Sequence, residues 1–175
     1  MGKDLGRVHI LTGPGKGKTT AAFGLALRAA GHGLRVCIVQ FMKTGMTTGE
    51  TIAARRIREI QILQFGTGKF VDPKNITDDD RRCAHKALEC AKSLIDKDTC
   101  DGLVLDEVNM AVHCGLLDAS SVLRMLKSRK RGVEVVLSGR NAPQEFIDIA
   151  DYVSYIDSRK HPFEGGQKAR QGIEW

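Results

Sequence analysis

The sequence predicts an α/β fold: one doubly wound domain over residues 1–175, with a mostly parallel sheet and helices on both of its faces. Strand-like and helix-like segments alternate along the chain, an order that is typical of parallel sheets. The apolar run at residues 34–40 is nearly continuous, as expected of a strand that helices cover on both sides. Neither an internal repeat nor a linker divides the 175 residues, a length that suits a single buried core.

Each predicted element has a local signal. Strands are predicted from β-prone apolar runs at residues 7–12, 34–40, 60–65, 102–106, 133–138 and 152–156. Helices are predicted at residues 18–31, 77–96, 118–128 and 143–150. Thr77 can cap the second of these helices, and the three aspartates at 78–80 suit the positive end of its dipole. Residues 41–57 begin as a loop, and the chain ends in a polar segment at 158–175.

Composition limits the classes of function. Lys and Arg number 27 against 21 Asp and Glu, so the net charge of 27 − 21 = +6 favours an anionic ligand: nucleic acid, a nucleotide or an acidic metabolite. The five cysteines form no CxxC pair, which argues against a zinc ribbon or a redox pair and predicts reduced thiols in the cytoplasm. The sequence has neither an apolar signal core nor a run near the ~18 apolar residues of a membrane span. We expect a soluble cytoplasmic protein with no membrane partner.

The most informative motif lies between the first predicted strand and the first predicted helix. Residues 12–20 read TGPGKGKTT, a glycine-rich turn followed by Lys18 and Thr19. Glycines let backbone N–H groups converge on phosphate oxygens, the helix N-terminus adds positive potential, the lysine supplies a cation and the threonine a hydroxyl for Mg²⁺. The motif predicts a P-loop NTPase architecture of the RecA-like type. Counted from Gly13, the loop is one residue shorter than GxxxxGK[ST], so it can hold a triphosphate in a different register or direction.

A second signal of a nucleotide site is the run LVLDE, which ends in Asp106 and Glu107. Carboxylates at the end of a parallel strand would face a metal ion near the phosphate loop. Because acidic residues follow many strands, this run is weak by itself and gains its weight from the P-loop. Together the two motifs predict a magnesium site that includes Thr19, Asp106 and Glu107.

Over nearly its whole length the chain resembles the P-loop type of ATP:corrinoid adenosyltransferases. The resemblance rests on TGPGKGKTTAAFGLALRAAGHG at 12–33, VQFMKTG at 39–45, FGTGKF at 65–70, LDEVNMAVHCGLLD at 105–118, LSGRNAPQEFIDIADYV at 137–153 and KHPFEGGQKARQGIEW at 160–175. It implies that cob(I)alamin attacks C5′ of ATP and expels the whole triphosphate, with ATP reversed relative to other P-loop proteins. The cobalt is then the nucleophile, so no side-chain nucleophile or general base is required. The resemblance also implies Mg²⁺ or Mn²⁺, an electron-donating reductase such as a flavoprotein, and a homodimer.

The same resemblance assigns site residues by matching position. Lys18 and the N–H groups of Gly15 and Gly17 would bind the triphosphate, and Thr19, Glu107 and Asp106 would form the metal site. Arg28 matches a family arginine near the nucleotide, although its helical spacing also permits a surface role. The expected catalytic residues are Lys18, Arg28, Phe70 and Arg140. The expected nucleotide-binding residues are Gly13, Gly15, Lys16, Gly17, Lys18, Thr19, Thr20 and Arg140.

Two positions depart from the family pattern. Pro14 stands where asparagine is usual, which removes a side-chain contact to the nucleoside. After Gly68 the usual Phe and Trp pair becomes KFVD at 69–72, so Phe70 is the only equivalent of the aromatics that displace the lower axial ligand of Co(II). A packed core position is the alternative for Phe70.

Two other functions remain open at this point. A P-loop phosphotransferase or small-molecule kinase would release ADP, whereas the adenosyltransferase releases triphosphate. A nucleic-acid-stimulated ATPase has support only from the P-loop, the parallel sheet and the charge. With 5% aromatics there is no stacking platform, and the basic cluster at 127–131 suits a helix C-terminus, so we expect no nucleic-acid partner. The five histidines lack metal-ligand spacing, and His161 fits a structural or nucleoside-contact role.

Overall fold

The computed structural model describes residues 4–45, 48–97, 99–129 and 132–175, and these fold around a six-stranded sheet. The elements in chain order are β1 (Val8–Thr12), α1 (Lys18–Gly31), β2 (Val36–Phe41), α2 (Gly49–Ala54), β3 (Ile60–Phe65), α3 (Asp78–Asp96), β4 (Gly102–Asp106), α4 (Val108–His113), α5 (Ala119–Ser128), β5 (Glu134–Ser138), α6 (Gln144–Asp148) and β6 (Tyr152–Tyr155), then a 3₁₀ turn at Pro162–Gly165. The strand order is β3-β2-β4-β5-β1-β6, and all neighbouring strands are parallel. This confirms the predicted α/β class, with a sheet that is parallel throughout the described residues.

Two apolar clusters cover the two faces of the sheet. Side chains alternate along a strand, so neighbours such as Ile38 and Val39 point to opposite faces, and both are fully buried. Val39 belongs to a cluster that includes the apolar side of α3, whereas Ile38 belongs to one that includes α1. Because both faces are covered, β2 is buried along its whole length, which explains its continuous apolar sequence.

The sequence predicts ten of these strands and helices to within two residues, and the structure adds three short elements. Helices α2 and α4 have six residues each, and the 3₁₀ turn has four, so none is long enough to show helical periodicity. Thr77 caps α3 as predicted: its hydroxyl accepts from the Asp80 N–H at 3.2 Å, and the Asp80 carboxylate accepts from the Thr77 N–H at 3.1 Å. Across the described parts of the chain, none of the helices combines the length and apolar character that crossing a membrane requires.

The basic cluster after α5 behaves as a helix terminus where it is described. The Arg129 guanidinium donates to the Leu126 carbonyl at 2.6 Å and to the Gly6 carbonyl at 2.8 Å, so it binds backbone groups left free at the helix end. Lys130 and Arg131, the other members of the predicted cluster, lie outside the described residues.

The strand register brings four polar segments to one edge of the sheet. The carboxyl ends of parallel strands lie at the same edge, so the loop after β1 lies beside Gln40 at the end of β2, Asp106 at the end of β4 and Ser138 at the end of β5. Strand β5 separates β1 from β4, and Ser138 therefore lies between the phosphate loop and Asp106. The crevice at the carboxyl ends of such a sheet is where ligands bind in open α/β folds.

Candidate active site

The loop between β1 and α1 packs tightly against the chain that follows β6. Gly13 has φ of +103°, and a Cβ there would lie 2.5 Å from the Ile156 carbonyl oxygen. A Cβ on Gly15 would lie 2.8 Å from the same oxygen and closer still to that of Asp157. Two hydrogen bonds fix the contact: Gly15 N–H donates to Ile156 O, and Ile156 N–H donates to Thr12 O, both at 2.8 Å. The first two glycines of the loop are therefore required by packing.

This contact changes the role expected of Gly15. Its N–H was predicted to bind the triphosphate, but it is already donated to Ile156 O. The sequence motif could not show this, because the acceptor follows β6 and lies 156 − 15 = 141 residues further along the chain. Gly17 precedes α1 with φ of +115°, and a Cβ there would meet no other atom within 4 Å. Triphosphate binding by the Gly17 N–H stays a prediction.

Lys18 is buried at the start of α1, and its ammonium group lies inside the loop. Its Nζ donates to Gly13 O at 2.7 Å and to Gly15 O at 2.6 Å. Burial lowers the pKa of Lys18, as does the neighbouring Arg140 charge, while the Glu107 charge opposes them. A negatively charged ligand in the loop would replace the carbonyl oxygens as a stronger partner for this ammonium.

Asp106 is fully buried at the end of β4 and accepts four hydrogen bonds. Its Oδ1 accepts from Thr19 Oγ1 at 3.0 Å and from Ser138 Oγ at 2.6 Å. Its Oδ2 accepts from Gln40 Nε2 at 2.9 Å and from Lys43 Nζ at 2.8 Å. Burial alone would raise the pKa of this carboxyl, but the Lys43 charge and the hydrogen bonds outweigh burial and lower it. Asp106 is thus an ionised carboxylate that orients Thr19.

Glu107 follows Asp106 in the left-handed region, with φ of +66°, and this turn directs its carboxylate into the cavity above the loop. Its backbone N–H donates to Ser138 Oγ at 3.2 Å. Burial and then the Asp106 charge raise the pKa of Glu107, and the cations Lys43, Lys18 and Arg140 oppose that rise. A further positive charge in the cavity would stabilise the ionised form.

The oxygen donors of the cavity above the loop fit Mg²⁺, which shares its ligands with substrate phosphates, better than they fit a metal held by protein side chains alone. Among the described residues, no group of three or more His, Cys, Asp or Glu could hold an ion. The Thr19 hydroxyl and the Glu107 carboxylate line the same cavity, and both are hard oxygen donors. Mg²⁺ is commonly held by one or two such groups together with substrate phosphates and water. Asp106 already has two donors on each oxygen, so direct ligation by it requires one of them to leave.

The cavity has a volume of about 550 Å³ and collects most of the predicted nucleotide-binding residues. Arg140 and Thr20 line it beside the loop, and so does His161. The predicted nucleotide-binding residues that line it are Gly15, Lys16, Gly17, Lys18, Thr19, Thr20 and Arg140, and Glu107 of the predicted metal site lines it too. Gly13 lies beneath Lys18 and lines a neighbouring cavity that also reaches Arg140.

Two predicted catalytic residues are not brought to the loop within this chain. Arg28 is in the last turn of α1, ten residues from Lys18, or about 15 Å at the rise of an α-helix. It lines a separate, largely apolar cavity of about 240 Å³ near the amino ends of β2 and β4. Phe70 lies on the loop after β3 and is 95% exposed, so a packed core position within this chain is excluded for it.

Lys43 and Gln40 belong to the site and were not predicted from the residues themselves. Gln40 is the penultimate residue of β2 and Lys43 follows that strand, and both donate to Asp106. Gln40 is held in turn by Gln64, whose Nε2 donates to Gln40 Oε1 at 2.9 Å. The sequence did carry one signal, because the run VQFMKTG at 39–45 places polar residues near the end of a buried strand. It does not reveal that β2 pairs with β4, which is what brings these residues to Asp106.

The parallel sheet, the phosphate loop and the carboxylates beyond β4 define the chain as a P-loop nucleotide-binding protein. The model of the family ATP:corrinoid adenosyltransferase BtuR/CobO/CobP matches residues 4–175. The chain belongs to this family, which confirms the resemblance predicted from its motifs.

Individual relatives agree with the family match. A corrinoid adenosyltransferase of Sinorhizobium sp is 39% identical over 173 residues, covering 97% of this chain and 80% of the relative. Corrinoid adenosyltransferase of Escherichia coli (strain K12) is 35% identical over 173 residues, covering 97% and 86%. Corrinoid adenosyltransferase CobA of Salmonella typhimurium (strain LT2) is 35% identical over 176 residues, covering 99% and 87%. The likeness extends over the whole site and its supporting strands.

Proposed function

We propose that this chain transfers the 5′-deoxyadenosyl group of ATP to the cobalt of a reduced corrinoid and releases inorganic triphosphate. The observation that carries the proposal is the family match over residues 4–175, which includes every residue of the cavity. In the reaction the Co(I) electron pair forms a bond to C5′ while the C5′–O bond breaks, and the triphosphate leaves with the electron pair of the broken C5′–O bond. No proton transfer is needed, and the cations Lys18, Lys43 and Arg140 in the cavity suit the negative charge of the departing triphosphate.

The site residues then stabilise a leaving group. Lys18 exchanges its bonds to Gly13 O and Gly15 O for triphosphate oxygens, and Arg140 and Lys43 add positive charge to the same cavity. Asp106 holds the Thr19 hydroxyl and the Lys43 ammonium in place through its hydrogen bonds. These contacts are formed before the charge develops, which is the arrangement that lowers a barrier most effectively.

Mg²⁺, or Mn²⁺ in its place, would be held by the Thr19 hydroxyl and the Glu107 carboxylate together with the phosphates. When bound, such an ion neutralises negative charge on the triphosphate. Phe70, exposed beyond β3, would contact the corrinoid and assist removal of its lower ligand. We also propose that one domain carries these roles, that a flavoprotein or similar reductase supplies the electron, and that the active form is a cytoplasmic homodimer.

The test is to incubate the protein with ATP, Mg²⁺ and chemically reduced cobalamin and to follow the absorbance spectrum. Formation of the adenosylated cobalamin spectrum, dependent on both ATP and the protein, supports the proposal. A protein that consumes ATP equally well without the corrinoid and leaves the corrinoid spectrum unchanged would contradict it and favour a kinase or ATPase.

A further inference from the structure

Four polar side chains meet across neighbouring strands at the carboxyl edge of the sheet, and we call Gln64, Gln40, Asp106 and Ser138 the polar row. Gln64 of β3 and Gln40 of β2 are register partners, and so are Gln40 and Asp106 of β4. Side chains that lie opposite one another on neighbouring strands point to the same face of a sheet. Ser138 of β5 donates to Asp106 at 2.6 Å and completes the row.

The hydrogen bonds of the polar row have one polarity, and each is donated in the direction of Asp106. Gln64 Nε2 donates to Gln40 Oε1 and Gln40 Nε2 donates to Asp106 Oδ2, both at 2.9 Å. Thr19 Oγ1 donates to Asp106 Oδ1 at 3.0 Å. Because a hydroxyl has a single proton, this donation leaves the lone pairs of Thr19 Oγ1 as the groups that a metal ion in the cavity can use.

The amide of Gln40 decides what the row offers to Asp106. Gln40 is 1% exposed, and its amide has an oxygen on one side and an NH₂ group on the other. If the amide were reversed, its oxygen would face the Asp106 carboxylate, and two acceptors would meet with no proton between them. The Gln64 NH₂ opposes that reversal, because it donates to the Gln40 oxygen only in the observed orientation. Gln64 therefore fixes the polarity of the row.

The end of β3 also supports Lys43, the second donor to Asp106 Oδ2. Gly66 follows the last residue of β3, and a Cβ on it would lie 2.6 Å from the Lys43 nitrogen and 2.7 Å from the Met42 carbonyl carbon. The Lys43 backbone thus packs directly on Gly66. Both donors to Asp106 Oδ2 depend on contacts with β3, an edge strand that three other strands separate from β1 and its phosphate loop.

We propose that Gln64 is a positioning residue of the site, which acts through Gln40 to keep Asp106 as the acceptor that orients the Thr19 hydroxyl for the metal ion. Gln64 itself is not among the described residues that line the cavity. The inference rests on the proposed function only in taking MgATP as the ligand. Groups that orient metal ligands from outside commonly contribute ~10- to 100-fold to metal affinity. Gln64 acts through one more bond, so we expect a contribution of about 10-fold, at the low end of that range.

Calorimetry of ATP binding with Mg²⁺ and with a chelator isolates the contribution of the metal. The ratio of the two dissociation constants measures how much Mg²⁺ strengthens ATP binding. Gln64→Leu keeps the bulk and removes the donor, so the ratio should fall about 10-fold while binding without metal is nearly unchanged. The matched control is Gln61→Leu in the same strand, where the amide oxygen accepts from Cys37 Sγ at 3.6 Å, and it should leave the ratio as in the parent.

A second variant, Gln64→Glu, separates hydrogen-bond polarity from packing and from charge. A carboxylate has nearly the shape of the amide but cannot donate to the Gln40 oxygen. The polar row therefore predicts a smaller Mg²⁺ contribution in Gln64→Glu. A role in packing predicts no change, and an added negative charge acting through space predicts a larger contribution. Either of those two results would overturn the proposal.

Equal falls in Gln64→Leu and Gln61→Leu would also overturn it, because they would show a general effect on β3. The variants are made at Gln64 because it is half-buried, whereas replacing the buried Gln40 can unfold the chain. Circular dichroism verifies that each variant is folded. None of these measurements needs a corrinoid, so a protein that gives the expected ratios and forms no cobalt–carbon bond would contradict the proposed function and leave this inference intact.

Discussion

Replacing Asp106 by asparagine tests the hydrogen-bonded centre of the site. Asparagine has the same shape, but its amide offers one oxygen and one NH₂ group where the carboxylate offers two accepting oxygens. If the amide oxygen keeps the bonds from Thr19 and Ser138, the NH₂ faces the donors of Gln40 and Lys43. Two hydrogen bonds are lost, and the Lys43 ammonium, whose side chain is only 20% exposed, loses its partner.

The structure sets the size of this effect. Breaking a buried ion pair by removing one partner costs roughly 3–5 kcal/mol. For a chain of this length that is a fall in the melting temperature of roughly 6–20 °C, at about 2–4 °C for each kcal/mol. The control is Asp79→Asn on α3, because Asp79 and its partner Arg82 are 64% and 65% exposed and the loss of such a surface pair should be about 1 kcal/mol or less. Urea and thermal denaturation followed by circular dichroism measure both.

The effect should also depend on pH with a definite sign. Because the pKa of Asp106 is lowered in the folded chain, its contribution to stability is full above its ordinary value near ~3.9 and is lost as pH falls below it. The difference between the parent and Asp106→Asn should therefore be largest near neutral pH and shrink below about pH 4. A loss under about 1 kcal/mol at pH 7, equal to that of Asp79→Asn, would refute the four-bond account of Asp106.

Four further predictions concern catalysis. Lys18→Ala should lower the rate ~10²-fold or more, because one contact to the departing triphosphate is lost. A rate within about twofold of the parent would contradict that assignment. In the same assay Thr19→Val should raise the Mg²⁺ requirement, because only the hydroxyl is lost. Glu107→Gln keeps shape and removes charge, so Mg²⁺ affinity and rate should both fall, and unchanged values would leave the ion to the phosphates and other groups. Phe70→Ala should reduce the reductase-coupled assay, which starts from Co(II), much more than one started from chemically reduced cob(I)alamin, and equal losses would show that Phe70 has no role in removing the lower ligand.

The strands and the longer helices could be predicted from sequence because their signals are local. Continuous apolar runs predicted β2 and β4, and Thr77 as the N-cap, followed by three aspartates, predicted the start of α3. The phosphate loop and the carboxylates after β4 were predicted in the same way, because each motif lies within a few residues of its own strand. Short elements such as α2 lack a full period of the helical pattern.

Other parts of the site depend on which segments meet in space, and the sequence carries no signal of that. Lys43 reaches Asp106 because β2 pairs with β4, and the Gly15 N–H is taken because the chain after β6 packs on the loop. Lys16 illustrates the same limit, since its partner Glu174 is 158 residues away in sequence. Motif matching placed Lys16 among the phosphate contacts, and only the fold shows its contacts with Ile173 and Glu174.

The products formed from ATP test the central claim most directly. With chemically reduced cobalamin and Mg²⁺ present, phosphorus NMR of the quenched reaction separates inorganic triphosphate from ADP and phosphate. We expect one triphosphate for each cobalt–carbon bond formed, with no ADP, because the bond that breaks is C5′–O. Formation of ADP in step with ATP consumption, without triphosphate, would contradict adenosyl transfer and identify the site as one for phosphoryl transfer.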